Sequence, residues 1–502
     1  MRTDNALLTT VAILALAVAA VYAHTLGYPF HFDDDGVLVR RGNFANPFAL
    51  DAIWSESPAR FLTYESFALS HFFHGLWSPG YRLVNLLLHF GSAVVLWRLA
   101  LLLRDRLLPD ERGIGWRLFP LTAALLFVVH PLQTQGVVYI WQRSVTLATF
   151  LYLLSLFLYL SWALRRERGE EADRLFTAAL VVGLMAMFAK QIAVTLPVAA
   201  VAADYFFVAR SWERMRPRAG KVLLFALLAA VIPLLTLAAD AGEWQDMRMR
   251  RHLGLSPVDY WLTQIPVSFR YLSMLLWPTG QSFDPPIPPI NGVLDLAPGV
   301  VAHLLLVGAA FALRRRNPLF TGGVVFFYLA LSVESLTPLV DPVFEHRMYL
   351  PMAGMALAVA SWGAVAQKGS LVTTALMVAI VALGVAAHRR TLVWQSPETL
   401  WQDAALTNPT GYHTNIMLGQ YYVEHDDPDR ALGHYRIVQE SHPAASLAPF
   451  MAGRILAEKG DLVGAAREYA EAARRSPDSP VPLNRLGETL LALNDYSGAE
   501  RA

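Results

Sequence analysis

Three adjacent carboxylates, Asp33-Asp34-Asp35, follow the first apolar run, in the stretch Tyr28-Pro29-Phe30-His31-Phe32 that leads into them. Mutual repulsion and partial desolvation beside a membrane surface raise the pKa of such a group, which suits general-base work or cation binding. The same triplet also reads as a solvated acidic turn or a helix N-cap. If the segment is extended, Asp33 and Asp35 share one face and Asp34 takes the other. Three basic residues sit at the ends of other apolar runs: Arg143 after Trp141-Gln142, Lys190 in Phe188-Ala189-Lys190-Gln191, and Arg347 in Glu345-His346-Arg347-Met348-Tyr349. Each by itself could snorkel to the interface. Three of them converging on an acidic loop suit an anionic lipid headgroup, since an Arg fork grips phosphate at two oxygens and Lys adds a point charge. His130, His252, His303, His346 and His388 show no H-E-x-x-H spacing, and there is no cysteine, so no metal site is expected from these residues. No P-loop or glycine-rich dinucleotide turn is present, so ATP hydrolysis is not expected, and an enzyme facing the outer side would need a pre-activated donor.

The elements that would position these residues follow from composition. Over 502 residues, 55% are hydrophobic and only 16% charged, against about 25% charged in ordinary soluble domains. A net charge of +1 gives no electrostatic basis for nucleic-acid binding. About 20 mostly apolar residues cross a bilayer core. Eleven stretches qualify approximately: 6–23, 81–103, 118–130, 144–164, 175–189, 192–208, 222–239, 298–313, 319–338, 349–366 and 371–387. Arg104, Arg106, Arg112 and Arg117, then Arg165 to Arg174, Arg210 to Lys221, Arg314 to Arg316, and Lys368 fall in alternate loops. By the positive-inside rule that side is cytoplasmic, which puts the N-terminus inside and the first long loop, 24–80, outside. The stretch Tyr260–Trp277 is expected to lie along the outer surface, because counting it as a span would put Arg314 to Arg316 on the wrong side.

After residue 390 the chain turns polar and repeats every 34 residues. Leu418-Gly419, Ala452-Gly453 and Leu486-Gly487 keep that interval, as do Ala431, Ala465 and Ala499. Trp401, Tyr435 and Tyr469 fill one column, and Pro409, Pro443 and Pro477 close successive units. This is the tetratricopeptide pattern, in which small residues let paired helices approach and aromatics fill the gap. The fold class is therefore all-α: a polytopic membrane helix bundle of about 11 spans over 1–390, then a tetratricopeptide-repeat solenoid over 391–502. The array stops inside its third unit, which suggests either a truncated chain or docking on the membrane domain.

In these motifs and their order the chain resembles the GT-C glycosyltransferases, most closely the transmembrane and tetratricopeptide-repeat O-mannosyltransferase family. The likeness rests on Phe32-Asp33-Asp34, Arg60-Phe61-Leu62-Thr63, Gly80-Tyr81-Arg82 through His89, His130-Pro131 with Arg143, Phe188 to Gln191 and Glu345 to Pro351. Family members often carry an acidic residue where this chain has Gln135, and another where it has Gln191.

The resemblance implies an inverting transfer of mannose or another hexose from a polyprenyl-phosphate donor to a hydroxyl of a protein acceptor on the extracytoplasmic face. It implies Asp33 and Asp34 as the catalytic carboxylates, with Arg143, Lys190 and Arg347 on the donor phosphate. His31, Asp35, Glu345 and His346 would line the substrate. A divalent cation at the carboxylates is left open, and no other cofactor is expected. The expected partners are the lipid-linked sugar, membrane lipid and a protein acceptor held by the repeats, with no nucleic acid. The composition fits a bacterial inner membrane with periplasmic repeats. Two other readings stand beside this one. A non-enzymatic scaffold would recruit envelope proteins through its repeats. A lipid-linked-sugar transporter would need mid-bilayer polar residues and symmetric halves, which the sequence does not show.

Overall fold

The computed structural model describes residues 2–40, 45–109, 113–238, 256–290, 292–339 and 341–501. Arg112 and His252 lie outside them. Among the described residues the chain is helical, with no strand. It divides into two compact units: the helices up to Gln395, and the repeats from Ser396 onward, which also take in Ser282–Ile287.

In the first unit eight helical segments are long and apolar enough to cross a membrane: Ala6–Gly27, Ser78–Leu107, Ile140–Glu167, Gln191–Ala209, Trp212–Thr236, Val293–Leu313, Pro318–Leu336 and Gly369–Gln395. The other three apolar stretches of the sequence fold as shorter helices, Ile114–Val129, Asp173–Met187 and Pro351–Val365, of 16, 15 and 15 residues. At 1.5 Å per residue these reach about 22–24 Å, less than the roughly 30 Å hydrocarbon core. Each runs into a polar break at one end: His130-Pro131 after the first, Ala189-Lys190 after the second, and Glu345–Met348 before the third. Ile114–Val129 and Pro131–Val138 form a pair bent by 55°. His130 starts that bend, because Pro131 cannot continue the ladder, and its ring accepts the Leu132 N–H in place of a backbone carbonyl.

Helices pack closely where side chains are absent. Gly323 and Gly354 face each other so tightly that a Cβ on either would strike the other's carbonyl oxygen. The first long loop is itself folded. Helices Leu50–Glu56 and Phe61–His74 bury Ile53, Tyr64 and Phe67 against Tyr81 and Ile140, with Trp141 stacked on Phe67 at 5.7 Å. Pro257–Leu276 is a capped helix, closed by a Ser256–Asp259 box, and does not number among the eight segments. It buries Val267, Tyr271 and Met274 against Phe327 and Met348.

The second unit pairs antiparallel helices from Pro397–Thr407 to Tyr496–Arg501. The sequence period has a direct cause here. A Cβ on Gly419 would strike the Tyr435 ring, and one on Gly453 the Tyr469 ring, so each glycine makes room for the aromatic of its own repeat. Gly411 begins the helix Tyr412–Glu424 with no capping side chain. Asp284 supplies the cap, accepting from the Thr414 N–H at 2.9 Å and the Thr414 hydroxyl at 2.8 Å. Phe283 is buried edge-on to Trp401, with centroids 5.1 Å apart.

Candidate active site

The site residues lie at C-terminal ends of some helices and N-terminal ends of their antiparallel neighbours, and so at one end of the bundle. The first span ends at Tyr22, a 3₁₀ turn follows, and Phe32 takes a φ of +48°. A bulky side chain rarely adopts that conformation, and such backbone strain clusters at functional sites. It turns the chain so that the next two carboxylates point into different surroundings. Asp34 opens a π-helix, Asp34–Arg40, and is wholly buried. Its Oδ1 accepts the Trp141 N–H at 2.7 Å and its Oδ2 the His31 N–H at 3.2 Å. Burial pushes its carboxyl up to about 7, against the pull of Arg82 and those two N–H groups. Asp33 is half-buried. The Tyr139 hydroxyl donates to its Oδ2 at 2.7 Å and accepts from its backbone N–H at 3.2 Å. Arg82 ties the two loops together by donating to the carbonyls of Tyr28, Pro29 and Val138. His31 is buried, with Nε2 2.8 Å from the Trp394 carbonyl, and burial brings its imidazole down to about 3. Asp35 is half-buried on the same π-helix.

A second, cationic corner is assembled from distant segments. Lys190 lies in extended backbone between Asp173–Met187 and the 3₁₀ turn Gln191–Thr195, and its Nζ donates to Glu334 at 2.7 Å. Both are buried. Arg347, in the 3₁₀ turn Glu345–Met348, donates through Nη1 to the Pro342 carbonyl at 2.6 Å and through Nη2 to Asp341. Its buried Nε has no hydrogen-bond partner among the described residues. The His346 N–H donates to Gln135 Oε1 at 2.7 Å, and its Nδ1 lies 3.2 Å from the same oxygen. Glu345 accepts from Gln281 Nε2 at 2.8 Å. Burial, and then the charges of Lys190, Arg347 and Arg60, hold the His346 imidazole well below its ordinary range. Arg60 therefore belongs to this corner. It is half-buried, and its guanidinium shows no hydrogen bond or ion pair among the described residues. Three cations thus act on Glu334, with Lys190 bonded to it directly and Arg347 also held by Asp341.

One helical turn connects the corners. The Gln135 side chain meets His346, and four residues on, Tyr139 donates its N–H to the Gln135 carbonyl at 3.3 Å while its hydroxyl holds Asp33. That is about 6 Å of helix rise. The structure thus brings together Asp33, Asp34, Lys190, Arg347, Glu345, His346 and His31, and adds Arg60, Glu334 and Tyr139, which the sequence reading did not select. Glu334 could have been found as a lone carboxylate inside an apolar run.

Arg143 is a correction. It was expected on the donor phosphate, yet it is fully buried and each of its three nitrogens donates to protein: Nε to Asn85, Nη1 to Ser66 and Ser70, and Nη2 to the Tyr81 carbonyl. Its guanidinium also covers the Phe67 ring at 4.5 Å. It ties three helices together. Among the described residues no group of three or more His, Asp or Glu side chains comes together as a metal cage.

These features define a polytopic helical membrane protein with tetratricopeptide repeats and a charged site at one end of its bundle. Residues 416–480 match the tetratricopeptide repeat family. Over longer stretches the chain is similar to protein O-mannosyl-transferases. It is 23% identical to mouse TMTC4 over 481 residues, covering 83% of this chain and 64% of that protein. It is 23% identical to mouse TMTC3 over 485 residues, covering 86% and 51%. It is 30% identical to Drosophila melanogaster Tmtc1 over 188 residues, covering 35% and 20%. The chain thus spans only part of the length of the curated relatives it matches.

Proposed function

We propose that the protein is a membrane glycosyltransferase that moves a sugar from a polyprenyl-phosphate donor to a hydroxyl of a protein acceptor, with inversion, on the extracytoplasmic face. The observation that carries this reading is the helical turn that links the two corners: Gln135 meets His346 beside the cations, and Tyr139, four residues on, holds the half-buried Asp33. Asp33 takes the proton of the acceptor hydroxyl as that oxygen attacks the anomeric carbon. The bond from that carbon to the phosphate oxygen breaks, and the polyprenyl phosphate leaves with the electron pair. Lys190, Arg347 and Arg60 stabilise the charge that grows on it. Asp34 positions the loop, since both of its oxygens are already bonded to backbone. Arg143 acts on helix packing. The O-mannosyl-transferases similar to this chain support the reaction class, and the repeats support a protein acceptor.

The test is turnover of the purified full chain with a polyprenyl-phosphate sugar and an acceptor protein. Asp33→Asn is expected to lower kcat by about a hundredfold to ten-thousandfold at unchanged thermal midpoint. Near-normal turnover in that variant would remove Asp33 as the base.

A further inference from the structure

The helix Arg143–Glu167 runs from the active-site end to the opposite end of the bundle, about 36 Å away at 1.5 Å per residue. A second charged site lies there. A cavity of about 400 Å³ is lined by Arg166, Glu167, Arg214, Pro217 and Arg218. Its charges are unequally satisfied. Arg218 is buried and spent on Asp204. Glu167 already accepts from Arg106 at 3.0 Å, and Arg214 reaches it only at 3.6 Å while remaining 64% exposed. Arg166 shows no ion pair or hydrogen bond among the described residues. Two guanidinium groups thus line the cavity, Arg214 reaching Glu167 only weakly and Arg166 near Asp173 but bonded to no carboxylate among the described residues.

Beside it a groove of about 580 Å³ runs along the helix Asp173–Met187, from Asp173 and Arg174 at its head over Thr177, Ala178, Val181 and Val182. The two features are adjacent, because Lys221, one turn beyond Arg218, pairs with Asp173 at the head of that helix. Trp212, Tyr205 and Phe206 are exposed at the same end. Exposed aromatics of this kind mark the level of the membrane–water interface. A charged cavity beside an apolar groove, with exposed aromatics at the same end, has the polarity of one phospholipid.

We propose that this end of the bundle binds an anionic phospholipid, with its phosphate between Arg166 and Arg214 and one acyl chain along the Thr177–Val182 groove. The site is separate from the proposed active site and does not depend on its chemistry. Charge complementarity selects an anionic over a zwitterionic headgroup. The groove selects a lipid over free phosphate.

The test is native mass spectrometry of the purified full chain in detergent with phosphatidylglycerol or phosphatidylcholine of identical acyl chains. The wild type is expected to retain phosphatidylglycerol preferentially. Each basic group at an anionic headgroup is worth about fivefold in affinity, so Arg166→Gln with Arg214→Gln is expected to weaken retention about twenty-five-fold. Val181→Trp fills the groove without touching charge and is also expected to weaken it. Millimolar inorganic phosphate should leave the lipid bound. Equal retention of the two lipids, or unchanged retention in the double variant, overturns the proposal. Displacement by inorganic phosphate together with full retention in Val181→Trp identifies a phosphate ion as the ligand and overturns it equally.

Discussion

The carboxylate corner and the cationic corner handle buried charge in opposite ways. Asp34 is surrounded by donors from two short loops, residues 28–34 and 138–141, and its charge is answered by backbone N–H groups that cannot move away. Lys190, Arg347 and Arg60 come from three segments, all act on Glu334, and leave one buried guanidinium nitrogen, Arg347 Nε, without a hydrogen-bond partner among the described residues. The first corner is closed by hydrogen bonds and serves as a rigid mount. The second keeps an unpaired donor, Arg347 Nε, which the donor phosphate would take up in the proposed reaction.

The largest effect expected from breaking this contrast is at Lys190. Lys190→Met leaves Glu334 buried beside a neutral side chain, which costs about 3–5 kcal/mol of stability. Adding Glu334→Gln should restore the thermal midpoint while donor affinity stays lost. Recovery of both would make the pair purely structural. Next is Arg143, which belongs with the closed corner despite its charge. Arg143→Ala should lower stability by about 3 kcal/mol, because buried acceptors lose their donor, yet leave the donor KM of the folded fraction unchanged. A raised KM would return Arg143 to the phosphate site.

Asp34 gives a pH signature. Its folded carboxyl titrates near 7, above the ordinary value near 4 of the unfolded chain. The folded state therefore holds a proton that the unfolded state has lost, and stability falls as pH rises from about 4 through 7, then levels. The thermal midpoint of wild type relative to Asp34→Asn should decline across that window, and a flat difference would place Asp34 in a more polar setting than described. The smallest effect is at Arg60. Because it is half-buried and solvent screens it, Arg60→Ala should raise donor KM only a few-fold, with kcat nearly intact. An unchanged KM would confine the anion site to Lys190 and Arg347.

Sequence reading went furthest where a local pattern reports a local contact. The 34-residue columns are the Gly419–Tyr435 and Gly453–Tyr469 contacts written into the chain. Lys190, Arg347 and the aspartates stood out because charge at the end of an apolar run is conspicuous. What stayed hidden depends on partners far along the chain. Nothing near Arg143 announces that Ser66, Ser70, Asn85 and Tyr81 will take its hydrogen bonds. Arg60 gains its meaning from Lys190 and Arg347, 130 and 287 positions on. Three of the eleven apolar stretches fold as helices of 15 or 16 residues, and hydropathy, which registers apolar length, is blind to the breaks at His130, Ala189 and Glu345.

Asp284 has a consequence for how the repeats can be rearranged. The repeat helices starting at Pro397, Pro428 and Leu462 are capped by the residue just before them, but the helix Tyr412–Glu424 borrows its first hydrogen bonds from a residue 130 positions earlier. Heredity can duplicate, shuffle or transplant a unit that carries its own punctuation. This first unit cannot be cut out at Ser396 and remain whole, because one letter of it is spelled inside the membrane half of the chain.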